Sequence, residues 1–115
     1  SNADKEFLEE LNQVILNNIT NMDLDVEQLS RLMNMSRPTL YRKIKALSNL
    51  SPNELINLSR LKKAAELLSQ GKYKINEVAN IVGYTVQGNF SRDFQKQFGL
   101  TPSAYLQKLQ EETKL

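Results

Sequence analysis

The sequence predicts an all-α fold of about seven helices, arranged as two similar halves joined by one long helix. Three observations carry that prediction. Apolar residues recur at helical spacing along most of the chain, and no segment alternates with period two as a half-buried strand would. Ser, Thr or Asp stands just before several apolar-periodic runs, with Pro in the first turn of three of them, where a missing N–H costs nothing. The second half also repeats the first in apolar positions and helix starts.

The elements follow in order. Residues 5–20 read as an amphipathic helix whose buried stripe is Phe7, Leu8, Leu11, Val14, Ile15 and Ile19. A turn over Asn21 to Asp23 leads to Asp25, which caps a short helix at about 26–33, with Gln28 completing a capping-box pattern. That helix buries Val26, Leu29, Leu32 and Met33. After Asn34-Met35, Ser36 caps a third helix over about 37–47, with Leu40, Ile44 and Leu47 inward. Ser51-Pro52 opens a fourth, long helix that ends before Gly71 and carries Leu55, Leu58, Leu61, Ala64, Ala65 and Leu68 on more than one face. A fifth, about 75–82, buries Ile75, Val78, Ala79 and Val82 and stops at Gly83. Thr85 is the expected cap of a sixth, about 86–97, which buries Phe90, Phe94 and Phe98. Thr101-Pro102 opens a seventh, about 102–110, with Tyr105, Leu106 and Leu109.

Composition removes several classes of function. The chain has no Cys and no His, which excludes disulfide frameworks, Cys/His zinc sites, Cys nucleophiles and imidazole-based triads. No paired carboxylates, Gly-rich phosphate loop or metal-ligand cluster appears, so no enzyme activity, metal or cofactor is expected. No run of apolar residues is long enough for a membrane span, and no membrane contact or small-molecule ligand is expected of these residues. Ser1-Asn2-Ala3 looks like a scar of tag removal, and the chain reads as a piece of a larger protein. Charge is uneven: residues 1–35 carry two basic against seven acidic groups, residues 36–115 thirteen against six. A basic face of that kind suits a polyanion, although an ordinary solvated surface has the same look.

The repeat gives the charge a frame. Val26-Glu-Gln-Leu-Ser-Arg-Leu-Met33 aligns with Ile75-Asn-Glu-Val-Ala-Asn-Ile-Val82. One residue is then gained in the second turn, and Leu40-Tyr-Arg-Lys-Ile44 aligns with Phe90-Ser-Arg-Asp-Phe94, and Leu50-Ser-Pro52 with Leu100-Thr-Pro102. Each copy is a short helix, a tight turn and a second helix, with a small residue, Ser30 or Ala79, where the two helices cross closely. This is the plan of a helix-turn-helix, whose second helix enters the DNA major groove and must show hydrogen-bond donors outward. The second helix of the first copy shows Arg37, Pro38, Tyr41, Arg42 and Lys45. That of the second copy shows Gln87, Gly88, Asn89, Ser91, Arg92 and Lys96. No acidic residue occurs from Arg37 through Asn53. The alternative is a plain helical bundle that docks an acidic protein partner such as RNA polymerase.

These residues resemble the AraC/XylS family of transcription regulators over roughly 24–106. Met35-Ser36-Arg37 with Leu40-Tyr-Arg-Lys-Ile-Lys45 resembles the first recognition helix of that family. Arg60-Leu-Lys-Lys-Ala-Ala-Glu-Leu-Leu68 resembles its linker helix, and Ile75 through Gly83-Tyr84, Phe90-Ser-Arg-Asp-Phe94 and Phe98-Gly-Leu-Thr-Pro102 its second unit. The wording Leu40–Lys45 with Ser51-Pro-Asn-Glu54 is most similar to the output domains of Bacteroidetes hybrid two-component regulators, long membrane proteins with a periplasmic glycan sensor. The resemblance implies a cytoplasmic domain that binds double-stranded DNA, with sensor or dimerisation domains outside these residues. It implies a first subdomain at 4–52, a linker helix at 53–70, a second subdomain at 71–110 and a frayed tail at 111–115.

The resemblance also implies that the linker holds the two recognition helices about 34 Å apart, one DNA turn, for successive major grooves. Arg42 and Tyr41 are then the base readers of the first unit, with Arg37, Pro38 and Lys45 at the rim; the Tyr41 ring could instead pack along the helix. In the second unit Gln87, Asn89 and Arg92 read bases, since Gln and Asn match adenine and Arg matches guanine. Ser91 and Lys96 face phosphate there, although an exposed Lys needs no ligand. Thr39 and Lys43, and the backbone N–H groups near Ser36 and Thr85, are further phosphate contacts. Arg60, Lys62 and Lys63 are expected to be structural or solvated, with Arg60 tying the linker to a lobe. The sequence departs from the family at Val86, where an acid is usual, at Asn89, where Tyr is common, and at Leu106, where Arg is usual. Gly88 weakens its helix by about 1 kcal/mol relative to Ala, and Asp93 sets an acid beside Arg92. The second unit is therefore expected to bind or discriminate less strictly than the first.

Overall fold

The computed structural model describes residues 1–114. It contains helices α1 (Asn2–Asn17), α2 (Val26–Leu32), α3 (Arg37–Ser48), α4 (Pro52–Gln70), α5 (Ile75–Ile81), α6 (Gln87–Phe98) and α7 (Pro102–Thr113), and no strand among the described residues. The chain forms two compact units that divide within α4, between Ser59 and Arg60. All seven expected helices are present, with ends moved by one to three residues. Ser1 accepts the Asp4 N–H at 3.2 Å and so caps α1, which places Asn2 and Ala3 inside the helix rather than outside the fold. At the other end α7 runs through Thr113, so residues 111–113 are helical and not a tail, while Leu115 lies outside the described residues.

In the first unit α1 turns Phe7, Leu11 and Ile15, spaced four apart, into the core, where Ile19, Leu24, Leu29, Met33, Leu40 and Ile44 join them. Leu32 is 47% exposed and Leu8 37%, so the buried stripe is narrower than expected. The seven-residue α2 buries Leu29 and Ser30, and Leu32, its last residue, faces outward. Asp25 caps α2 by accepting the Gln28 N–H at 2.9 Å. The Gln28 side chain does not complete a capping box; its Oε1 accepts from the Asn21 amide at 2.9 Å and closes the preceding turn instead.

The turns of the two units share one construction. After α2, Asn34 takes a left-handed φ of 55°, its N–H donates to Arg31 O, and Met35 N–H donates to Ser30 O at 2.9 Å. After α5, Gly83 takes φ 88°, its N–H donates to Asn80 O, and Tyr84 N–H donates to Ala79 O at 2.9 Å. Each is a Schellman closure, which satisfies the last carbonyls of the short helix while reversing the chain. Ser30 and Ala79 are buried, 5% and 2% exposed, as the small residues of a close helix crossing would be.

The repeat then loses register where the sequence gains a residue. Ser36 caps α3, accepting the Thr39 N–H at 3.3 Å. The extra residue moves Thr85 out of the equivalent position, and the N-cap of α6 is Val86, which has no side-chain acceptor. Val86 O instead accepts the N–H groups of Asn89 and Phe90 at 3.1 and 3.2 Å. Both second helices end on a left-handed residue, Asn49 at φ 60° and Gly99 at φ 80°. Ser51 and Glu54 form a full capping box at the start of α4, and Thr101 caps α7 through the Ala104 N–H.

The cores differ in kind. Where the first unit buries Leu40 and Ile44, the second buries Phe90 and Phe94, all four at 0% exposure. Tyr84, Phe90, Phe94, Phe98 and Tyr105 form a continuous aromatic cluster with centroid spacings of 4.7 to 6.5 Å. Such pairs add about 0.5–1.5 kcal/mol each beyond the area they bury. In α4, Ile56, Leu61, Ala64, Leu67 and Leu68 are buried, so Ile56 and Leu67 belong with the apolar positions expected there.

Candidate nucleic-acid interface

The face of α3 opposite Leu40 and Ile44 is set by the 3.6-residue period. Pro38, Arg42 and Lys45 lie on it, Tyr41 and Arg37 lie to one side of it, and all five are exposed. Tyr41 is 47% exposed, so its ring stands out from the helix rather than packing along it. Thr39 sits on the flank, half-buried, and accepts from the Ser36 hydroxyl at 2.8 Å. Arg42 reaches back one turn and donates to the same Thr39 Oγ1 at 3.4 Å. Lys45 reaches forward and donates to Asn49 O at 3.3 Å, where a cation suits the negative end of the helix dipole. Lys43 is turned away from this face, with its Nζ 4.6 Å from the centroid of the Phe7 ring on α1.

On α6 the face opposite Phe90 and Phe94 carries Gly88, Asn89, Arg92 and Lys96, all exposed, with Gln87 exposed and Ser91 half-buried to one side of it. Gln95 completes the face at the position that repeats Lys45, and it is exposed. Gln95 is absent from the residues expected from sequence, although the alignment of the two copies sets it against Lys45. Arg92 Nη2 donates to Asn89 Oδ1 at 2.9 Å, the counterpart of Arg42 on Thr39. The first turns of both α3 and α6 carry no acidic residue, so the positive ends of their dipoles are not neutralised there.

Two contacts of the preceding turn hold α6 in place. Tyr84, in the turn before it, donates its hydroxyl to Asp93 Oδ2 at 2.9 Å, and its ring meets Phe90 edge to face at 5.3 Å. Asp93 therefore serves the scaffold; among the described residues no ion pair joins it to Arg92. Burial, then the bond to Asp93 and that carboxylate's charge, push the Tyr84 hydroxyl far above its ordinary pKa, with Arg60 acting weakly the other way. Arg60 itself is 4% exposed and donates from Nη1 to Val82 O at 2.7 Å, tying α4 to the turn. Burial lowers its pKa from the usual arginine value. At the start of α4, hydrogen bonds from the backbone and side chain of Ser51 hold Glu54 below the ordinary carboxylate value.

Residues 29–108, from the middle of α2 into α7, match the family model of a helix-turn-helix domain. The chain belongs to the AraC-type family of helix-turn-helix DNA-binding transcription regulators. This AraC-type domain is 38% identical over 97% of its length to histidine kinase P4 of Formosa agariphila, of which it spans 8%. It is 33% identical over 87% of its length to the Msm operon regulatory protein of Streptococcus mutans and spans 37% of that protein. Among solved structures, the C-terminal domain of AraT, a response regulator from Geobacillus stearothermophilus, is 34% identical with a TM-score of 0.79, over 87% of this chain and 83% of that one. The DNA-binding domain of AdpA, solved in complex with a target DNA, is 28% identical with a TM-score of 0.82, over 91% of this chain and 94% of that one. The chain thus spans well under half of the curated relatives it matches, and nearly all of the isolated domains. No helix among the described residues is long and apolar enough to cross a membrane.

Proposed function

We propose that this AraC-type domain binds double-stranded DNA sequence-specifically with both helix-turn-helix units, placing α3 and α6 in adjacent major grooves. In this reading it is the cytoplasmic output domain of a longer regulator of transcription. One observation carries the reading: Arg42 and Arg92 occupy the same position of the repeat, both exposed, each on the outward face of a second helix. The AdpA domain, solved with a target DNA, supports DNA as the partner. The Formosa histidine kinase supports a signalling protein as the parent.

Arg42 and Arg92 each take a base edge, Arg best matching the two acceptors of guanine. Tyr41 and Gln87 stand beside them for further base contacts. Arg37, Pro38 and Lys45 meet the rim of the first groove, and Gly88 lets the backbone of α6 approach the second. Thr39, Ser91 and Lys96 lie toward the phosphates. Asp93 and Lys43 are left to the scaffold, as their contacts with Tyr84 and Phe7 indicate.

A titration of a labelled random-sequence duplex at two salt concentrations tests this. Log affinity is expected to fall with log salt at a slope of about −0.9 per phosphate neutralised. On a selected site, Arg42→Ala and Arg92→Ala should each cost about 1–3 kcal/mol and relax the preference at one position. A nuclease footprint covering two half-sites is expected for the wild-type chain. Binding that ignores salt, or no binding at low salt, refutes the proposal.

A further inference from the structure

Arg92 and Asn89 form a pair on α6 at 2.9 Å, one turn apart and both exposed. Arginine has donors only, so the bond must use the carboxamide oxygen of Asn89 and turns its amide nitrogen away from the guanidinium. Reading adenine would need that oxygen and that nitrogen side by side on one base edge. One of that oxygen's two lone pairs is taken by Arg92, and the bond sets the direction in which the amide faces. The adjacent acid does not compete for the guanidinium, because Asp93 accepts from the Tyr84 hydroxyl at 2.9 Å. In the first unit the equivalent contact is looser: Arg42 lies 3.4 Å from Thr39 Oγ1, and that hydroxyl is already engaged by Ser36 at 2.8 Å.

We propose that Asn89 is a positioning residue that orients Arg92 toward guanine, so that the second half-site is read as guanine at the Arg92 position and not as adenine at Asn89. The proposal rests on the reading of α6 as a groove-entering helix. Of the five guanidinium donors one bond goes to Asn89, and the others remain for the O6 and N7 acceptors of guanine. Holding the long side chain before binding removes rotamer freedom that would otherwise be lost on the DNA. The second unit then discriminates at its arginine position more sharply than the first, the reverse of what Gly88 and Asp93 suggest from sequence.

The test starts from a site selected out of a randomised duplex library with the wild-type chain. Affinities are then measured for all four bases at each position of the second half-site, with wild type, Asn89→Ala, Asn89→Asp and Arg92→Ala. Guanine should be preferred about ten- to a hundredfold at one position, the range of a bidentate arginine contact, and Arg92→Ala should abolish that preference. Asn89→Ala should reduce it to about threefold or less at the same position and leave other positions alone. Asn89→Asp keeps an oxygen for Arg92 but has no amide donor. It should retain the guanine ratio while weakening binding to every sequence through its added charge. An adenine preference lost in both Asn89 variants would show that Asn89 reads the base itself and would overturn the proposal. So would an unchanged guanine ratio in Asn89→Ala. A wild-type chain with no base preference in the second half-site would overturn the reading of α6 together with the proposal, and that flat profile separates this failure from the other two.

Discussion

Tyr84→Phe removes one oxygen from the second unit and little else. The ring stays, with its edge-to-face contact to Phe90 at 5.3 Å. What is lost is the hydroxyl that donates to Asp93 at 2.9 Å, leaving a half-buried carboxylate without that donor. A hydrogen bond to a charged group contributes about 1.5–3 kcal/mol, and partial access of water to Asp93 brings the expected loss to the bottom of that range or just below it, about 1–1.5 kcal/mol. For a chain of this size that is a fall in Tm of about 4–6 °C. Urea and thermal unfolding followed by far-ultraviolet circular dichroism measure it. A double-mutant cycle with Asp93→Ala isolates the pair, and a coupling of about 1 kcal/mol is expected. If the two changes add to within about 0.3–0.5 kcal/mol, the hydrogen bond does not stabilise the unit and the reasoning fails.

The same hydroxyl predicts a pH dependence. Its folded pKa is raised above the unfolded value of about 10, so the folded state keeps a proton that the unfolded state releases. The associated stability is intact below about pH 10 and is lost above it at up to about 1.4 kcal/mol per pH unit; unfolding curves at rising alkaline pH should show this slope in wild type and a flatter one in Tyr84→Phe. Arg60→Met keeps a buried apolar stem but strands the Val82 carbonyl, and should cost about 1–3 kcal/mol. Equal stability to wild type would mean that burying the cation costs as much as its bonds return. Gly88 has no positive φ, and apart from its chain neighbours and its own helix backbone nothing lies within 4 Å of where a Cβ would sit. Gly88→Ala should therefore stabilise the chain by about 0.5–1 kcal/mol in urea unfolding. It should weaken binding to a selected site if the backbone of α6 approaches DNA there, and a stability gain with unchanged affinity would take Gly88 out of the interface.

Much of the fold was legible because each helix announces itself locally. Asp25, Ser36, Ser51 and Thr101 cap their helices as their sequence positions suggest, and the apolar period places Leu40, Ile44, Phe90 and Phe94 inward. The failures arise where one residue has two possible partners. Gln28 fits a capping box by spacing, yet the turn brings the Asn21 amide to it first. Thr85 is a good capping residue, but the single insertion in the second turn leaves Val86 at the helix start. Leu32 has the right period but is the last residue of α2 and stands 47% exposed, while Met33, at the cap, is buried in its place.

For the site, sequence alone determines the repeat, the positions of Arg42 and Arg92 within it, the absence of acid from the start of each second helix, and so the AraC-type family and its polar faces. These follow from the order of residues, because helical periodicity converts spacing along the chain into a face. Tertiary structure alone decides what each polar group is occupied with. Asp93 looks like a rival for Arg92 and is taken by Tyr84; Lys43 looks free for phosphate and sits over Phe7. Such commitments depend on distances of a few ångströms between groups on different turns and helices, and hydrogen bonding falls away so steeply with distance that no spacing rule in the chain could fix them.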